Sequence, residues 1–510
     1  MMLLQPDLAG RLQQSDREED SSDPEKLTAA DIKMFLLKCL PLVALIAVAF
    51  SANPGVKIRL TQKGLEYGRQ LGMASLLEKL KTAQIPDFSG KERVSPIGKV
   101  QYSLTNIRVV NLGLPQSALN LVPGSGVQLS ITNAFISLHG NWRVKYLRVI
   151  KDSGSLDVSV NGLSISQTIA IKSDATGKPE ASSASCSASV SSAKVKFHGG
   201  ASWLYNLFSK FIDKALRKAL EKQMCPLVAK SIADLNPRLK TLNVLAKVDK
   251  YAEIEYSMVS SPEISQPAID LNLKGEFYNI GRHQEAPVPA PAFSLPAQSS
   301  NMIYIALSSY TPNSAGFVYK NAGVLSMYVT DDMIPRSSPI RLSTSTFGFF
   351  IPQISQQFPG LMMKMLVKAD KNPVVKFQPN TMTVDATATA TAYAIQPNGT
   401  LSPLFVLNVE TSVSGQMSVS DLKLAGRISL DKMKLTLGTS YVGDFKVNSL
   451  DNILQVILKL VVIPTVNVQL SKGYPLPALG SMNLVNTQLQ IMQVREGIIF
   501  IYCIEFGVSS

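Results

Sequence analysis

The sequence predicts an α+β protein built from two similar, sheet-rich halves. Apolar and polar residues alternate with period two over long stretches, at 99–197 in the first half and at 384–394, 417–437 and 482–506 in the second. Each half also contains segments of helical spacing. A stretch carrying Pro287, Pro289, Pro291 and Pro296 separates two regions of similar size. The chain has 510 residues, 45% of them hydrophobic and 17% charged, which rules out a disordered chain and allows two large domains or three ordinary ones.

The first element reads as an export signal. Lys33 and Lys38 flank the start of an apolar run from Leu40 to Phe50, and Ala49 and Ser51 supply a small-x-small cleavage site. Cleavage after Ser51 leaves Ala52 as the mature N-terminus. The apolar run is far shorter than the roughly 20 residues a spanning helix needs. Acidic residues crowd the region before Met34, so Met1 and Met34 both stand as candidate starts.

Next, Leu60 to Leu80 reads as a helix, with Leu60, Gly64, Tyr67, Leu71 and Ala74 on one face. Ile85-Pro86-Asp87 ends it. From Lys99 to Phe197, runs such as Val127-x-Leu129-x-Ile131, Leu156-x-Val158-x-Val160 and Val195-x-Phe197 predict an antiparallel, half-buried sheet. Trp203 to Leu235 returns to helical spacing. Leu204, Leu207, Phe208, Phe211, Ala215 and Leu216 face one way, and Lys210, Lys214, Arg217 and Lys218 largely the other. Such a helix is expected to pack on its own sheet, with membrane binding as the alternative. Pro226 is expected to kink it or to start a second helix.

In the second half, Ala and Thr alternate from Val384 to Ala394. Leu450 to Val462 reads as an apolar helix stopped by Pro464; its length and its Asp451, Asn452, Gln455 and Lys459 argue against a membrane span. Gly64-Leu65-Glu66-Tyr67 and Gly316-Phe317-Val318-Tyr319 form a weak internal echo, in line with two related halves.

Cys39 leaves with the signal, and Cys186, Cys225 and Cys503 remain. In an oxidising compartment one bridge is expected. Cys186 and Cys225 are the expected pair, because Cys503 is remote in sequence. Cys503 sits in the apolar run Ile498–Phe506 and is expected as a buried free thiol. Asn398-Gly399-Thr400 is a glycosylation sequon beside Pro397.

The net charge is +13, and it is unevenly placed. Residues 52–281 hold 29 basic and 17 acidic residues, against 16 and 12 in 282–510. The excess calls for an anionic partner or serves solubility. Aromatics are only 7%, with no aromatic-rich nucleic-acid platform. The three histidines, His139, His198 and His283, are well separated in sequence, so a histidine-based metal site is not expected. No G-x-S-x-G, H-E-x-x-H, phosphate-loop or dinucleotide fingerprint occurs. An enzyme is not expected; a secreted esterase is the distant alternative.

One segment carries partner chemistry. In Asn141–Lys151, Trp142, Tyr146 and Leu147 alternate with Arg143, Lys145, Arg148 and Lys151 between two predicted strands. Cations plus aromatics on a turn suit a phosphorylated amphiphile: cations meet phosphate and rings meet acyl chains. Lys91, Arg93 and Lys99 read as a second basic loop. The plainer alternative for each is a solvated hairpin tip.

Several of these stretches are distinctive. They are Asn53-Pro54-Gly55, Thr61-Gln62-Lys63-Gly64-Leu65-Glu66-Tyr67, Ile85-Pro86-Asp87-Phe88, Asn141-Trp142-Arg143-Val144-Lys145 and Leu156-Asp157-Val158-Ser159-Val160. Asp331-Asp332-Met333-Ile334-Pro335 and Gly473-Tyr474-Pro475-Leu476-Pro477 complete the set. Together, in this order, they resemble the bactericidal permeability-increasing protein and lipopolysaccharide-binding protein family over 52–510. The resemblance implies a boomerang of two barrel-like domains, each a twisted antiparallel sheet wrapped on a long helix, joined by a central sheet. It implies a leader at 1–51, a first lipid- and lipopolysaccharide-binding domain at 52–281, the proline-rich linker at 282–299 and a second lipid-binding domain at 300–510. The family's disulfide falls on Cys186 and Cys225. Its endotoxin-binding cluster falls on Arg143, Lys145, Arg148 and Lys151, with Trp142, Lys91, Arg93 and Lys99 as neighbours.

The function so implied is that of a secreted, extracellular innate-immunity protein, with granule storage an option. It would bind lipopolysaccharide and the outer surface of Gram-negative bacteria as a monomer and perturb that membrane. It would need no cofactor or metal beyond a bound phospholipid, and no nucleic acid. A lipopolysaccharide-presenting carrier or plasma phospholipid-transfer protein is the alternative.

Overall fold

The computed structural model describes residues 53–82, 85–94, 98–146, 150–202, 209–295, 297, 300–478, 482–485, 487–492, 498–503 and 505–508. The leader with its cleavage site, Leu147, Arg148, and Trp203 to Phe208 lie outside them, as do the side chains of Tyr146, Phe211 and Cys503.

Strand β1 (Val56–Thr61) feeds directly into helix α1 (Gln62–Lys81). The helix therefore starts two residues later than its spacing suggests. Val56, Ile58 and Leu60 alternate as a strand, and the Thr61 hydroxyl accepts from the Gly64 amide to cap the helix. Gly64 is required here: a Cβ would come within 2.5 Å of the Met302 carbonyl oxygen. The buried face of α1 is carried by Leu65 and Leu76, whereas Leu71 is 49% exposed. The expected face is thus rotated, because the cap and the strand before it fix where the helix begins.

The first half is a six-stranded antiparallel sheet in the order β2 (Phe88–Val94), β3 (Gly98–Gly113), β5 (Gly126–Tyr146), β6 (Ile150–Ser173), β7 (Pro179–His198), with β4 (Gln116–Val122) also paired to β5. The period-two pattern is realised as one buried face, with Leu138, Val144, Leu156, Val158, Val160, Val195 and Phe197 in the core. Helix α2 (Ser209–Ala233) lays Leu216, Leu220, Met224, Val228 and Ile232 on that face, as expected of a helix serving its own sheet. It runs unbroken through Pro226, whose ring is exposed. Cys186 on β7 and Cys225 on α2 are bridged, with S–S 2.09 Å and Cα–Cα 5.7 Å. Two α2 carboxylates also serve β7. Asp213 accepts from the Val195 amide at 2.8 Å and Glu221 from the Val190 amide at 3.0 Å.

The second half repeats the plan. Its long antiparallel strands Met363–Ala369, Thr381–Ile395, Leu401–Ser420 and Lys423–Ser440 are neighbours in a seven-stranded sheet. A helical run, Val447–Leu470, packs Ile453, Leu454, Ile457 and Val461 against it. This run is long and apolar enough to cross a membrane by length and composition, yet one face belongs to the sheet's core. Pro464 does not stop it. A π-helical turn at Leu458–Val462 precedes a last segment, Ile463–Leu470, in which Pro464 takes a first-turn position where its missing N–H costs nothing.

A central six-stranded sheet unites the halves. β1 lies between Ala268–Leu273 and Ile303–Ser308, and Ile498–Cys503 and Gln488–Met492 follow. The internal echo falls at matching places: Gly64 follows β1, and Gly316 lies in the helix Tyr310–Asn321 after Ile303–Ser308. The proline-rich stretch is strapped down rather than loose. The Asn53 amide donates to the Ala290 carbonyl, and Lys57 lies over the Phe293 ring.

Candidate functional site: a cationic sheet end and an apolar cavity

Strand alternation decides where each predicted site residue points. On β5, Trp142 and Val144 are buried, while Asn141, Arg143 and Lys145 between them are exposed. Trp142 is 1% exposed. Its indole Nε1 donates to the His198 carbonyl at 3.1 Å, and its ring meets Phe197 edge-on with centroids 5.6 Å apart. Opposite it, Gly154 leaves room for the indole: a Cβ there would lie 2.8 Å from Nε1 and 2.0 Å from the His198 carbonyl oxygen. Trp142 is therefore a core residue that seats the strand. The expectation that its ring meets acyl chains is corrected.

The cations lie on paired strands rather than on turns or loops. Lys91 and Arg93 are on β2, Lys99 on β3, Arg143 and Lys145 on β5, and Lys151 on β6; all are exposed. Register aligns them. Lys91 pairs with Gln101, Gln101 with Lys145, and Lys145 with Lys151, a transverse row across four strands. Arg93 directly opposes Lys99, and Arg143 stands in the next row between Ser103 and Ser153. The strands gather two separate sequence stretches, 91–99 and 143–151, into one cationic end of the sheet. Among the described residues, none of these six cations has a carboxylate partner. Arg148 lies outside the described residues.

Directly opposed like charges destabilise a sheet. Two such oppositions, Lys145–Lys151 and Arg93–Lys99, make this end costly without an anion. The same face continues away from the end with Arg108 on β3 and Lys194 and Lys196 on β7, all exposed, which sequence reasoning did not single out. Their signal was alternation with apolar neighbours on their own strands, Ile107 beside Arg108 and Ala193, Val195 and Phe197 around Lys194 and Lys196, but only the register shows that they share a face with Arg143.

Behind the sheet lies a narrow apolar cavity of about 30 Å³. Leu76 and Leu80 of α1, Ile136 and Ile165 of the sheet, and Leu220 and Met224 of α2 line it. The lining is wholly apolar and matches hydrocarbon in chemistry, but the space is well below that of a pocket holding a whole lipid, so an acyl chain would have to part α1 and α2 to enter. Among the described residues no group of His, Cys, Asp and Glu is placed to hold a metal ion. Asn398 is exposed in a tight turn. Its side-chain oxygen accepts from the Thr400 amide and hydroxyl.

The family model for the N-terminal domain of the LBP / BPI / CETP family matches residues 64–240, and the C-terminal one residues 246–495. The chain belongs to the LBP / BPI / CETP family. It is 69% identical over 460 residues to the bactericidal permeability-increasing protein of Sebastes schlegelii, covering 90% of this chain and 97% of that one. It is 34% identical to the lipopolysaccharide-binding protein of Homo sapiens, over 87% and 92% of the two chains. A crystal structure of lipopolysaccharide binding protein matches with a TM-score of 0.61 and 32% identity, over 90% of this chain and all of that one. In the LBP / BPI / CETP frame the architecture is α+β, with two sheet-rich regions of curled antiparallel strands. The cationic end and the cavity both belong to the first.

Proposed function

We propose that this is a secreted innate-immunity protein that binds the lipopolysaccharide of Gram-negative bacteria and perturbs their outer membrane, as a monomer and without making or breaking bonds. The observation that carries the reading is the cationic sheet end, where lysines oppose one another without carboxylates. Phosphates of lipid A would replace that repulsion with charge-assisted hydrogen bonds to Lys91, Arg93, Lys99, Arg143, Lys145, Lys151 and Arg148. The names of the relatives, one bactericidal and one lipopolysaccharide-binding, support the same ligand. In the reading's domain division, 52–281 holds the endotoxin site, 282–299 is the linker and 300–510 is the second lipid-binding domain.

The bridged cysteines and the apolar leader support export to an oxidising compartment, with Asn398 as a glycan acceptor. The apolar lining between the sheet and its helices supports bound phospholipid and favours a second reading, a lipopolysaccharide-presenting carrier or a phospholipid-transfer protein. Purified protein mixed with live Gram-negative cells, with and without host receptors, separates the two. Killing by the protein alone supports the first reading; lipid delivery without killing supports the carrier; failure to bind lipopolysaccharide overturns the first reading, and failure to take up any lipid overturns the second. Lipid extraction and mass spectrometry of the purified protein test the cavity's occupant.

A further inference from the structure

Two histidines remote in sequence meet one carboxylate on the cationic face. His139 Nδ1 of β5 lies 2.8 Å from one Asp157 oxygen, and His198 Nε2 of β7 lies 2.9 Å from the other. Asp157 projects from β6 between them. All three are solvent-accessible, with side chains 33%, 39% and 54% exposed in the order His139, His198, Asp157. The charged residues around them on this face are cations, interspersed with serines. Arg108 of β3 pairs with His139, and Lys196 of β7 pairs with Asp157. Lys194 lies two residues further along β7, Arg143 projects from β5 on the same face, and Asn141 lies between Arg143 and His139. The other carboxylates around this part of the sheet are engaged with backbone amides: Asp87 accepts from Asn106, Asp152 from Ser153 and Ala201, and Asp213 of α2 from Val195.

Among the described residues, Asp157 is thus the one acid on this face of the paired strands in the rows that run from Lys91 and Lys151 to Lys194 and Lys196. While both histidines are neutral, the His139–Asp157–His198 unit carries about −1 and interrupts the positive face. When both are protonated it carries about +1. Each ring nitrogen facing Asp157 can donate in either state; protonation adds the charge at the other nitrogen.

Resting on the reading of the sheet end as an anion-binding site, we propose that this site extends along the outer face to Arg108, Lys194 and Lys196. Protonation of His139 and His198 joins the two parts, so that mildly acidic surroundings enlarge the surface that grips an anionic lipid layer. The hydrogen bonds of both histidines hold Asp157 below the ordinary carboxylate range, that of His139 most. The acid therefore stays ionised in mildly acidic surroundings.

The test is binding of the whole chain to vesicles of phosphatidylglycerol and phosphatidylcholine at pH 7.5 and 5.5. A phosphodiester headgroup keeps its charge over that range. A gain on acidification of about tenfold is expected, since each added cation near an anionic surface has a modest effect. His139→Gln together with His198→Gln should flatten the pH response and leave binding at pH 7.5 unchanged. Asp157→Asn should tighten binding at pH 7.5. An equal pH response in wild type and the double histidine variant, or no effect of Asp157→Asn at pH 7.5, overturns the proposal. The sheet-end reading is judged separately at pH 7.5, where Lys145→Glu with Lys151→Glu should remove most of the binding.

Discussion

Lys145 and Lys151 face each other across β5 and β6 as direct cross-strand partners. A sheet selected only for stability would place opposite charges at such a pair. Their juxtaposition is the clearest sign that this end of the molecule is built to hold something negative. Lys151→Glu should therefore stabilise the fold by about 0.2–1 kcal/mol while weakening anion binding. Thermal melts and lipopolysaccharide titration on the same samples check both halves. A variant that loses stability and binding together would identify Lys151 as a structural residue.

Trp142 should behave as a core residue. Trp142→Ala is expected to cost about 3–5 kcal/mol, the usual range for a large buried aromatic. Trp142→Phe should cost less and leave lipopolysaccharide affinity within about twofold of wild type, since the ring is buried in the core. Urea unfolding and binding titrations distinguish this from the ligand-contacting role the sequence suggested.

The Cys186–Cys225 bridge closes a loop with a sequence separation of 39 residues. Chain entropy puts its contribution at roughly 4 kcal/mol. Replacing both cysteines by serine should lower stability by that order in denaturant unfolding. Non-reducing peptide mapping of the native protein should recover the linked pair.

Asp213 offers a pH test. Burial raises its carboxyl above the ordinary range, against the opposing effect of the Val195 amide. A folded-state pKa above the unfolded one means that the neutral acid is favoured by the fold. Its contribution is present below the unfolded pKa and is lost as pH rises through the folded value. Asp213→Asn keeps the acceptor for Val195 and removes the ionisation penalty. The variant should melt higher at neutral pH, and the difference should vanish in the acid range. A lower melting temperature at neutral pH would mean that the charged bond to Val195 outweighs burial.

Much of the fold was legible because one buried face imposes a simple period. Leu156, Val158 and Val160 announce a half-buried strand without any knowledge of their partners. Helix α2 was legible for the same reason, its apolar face being matched to that sheet. The start of α1 was misplaced because Leu60 fits both a strand and a helix pattern, and only the Thr61 cap decides between them. Pro464 misled because a π-turn can place a proline in a first-turn position inside a longer helical run. At the site, composition exposed the cations but not their arrangement. Trp142 shares parity with Leu138 and Val144, so its burial could have been read. The row from Lys91 to Lys151 could not, because register between strands depends on hairpin lengths and bulges that period two does not encode. The meeting of His139 and His198 at Asp157 was invisible for the same reason.

The central claim is that the cationic end of the first sheet holds lipopolysaccharide through its phosphates. The most direct measurement is the salt dependence of lipopolysaccharide binding by the mature chain, compared with a variant in which Arg143, Lys145, Arg148 and Lys151 are all changed to glutamate. Exposed charges are screened over a Debye length of about 8 Å at physiological ionic strength. Wild-type binding should weaken steeply as salt rises, and the fourfold variant should bind much more weakly with a shallow salt response. Unchanged affinity and an unchanged salt slope in a correctly folded fourfold variant would contradict the account and place the endotoxin site elsewhere.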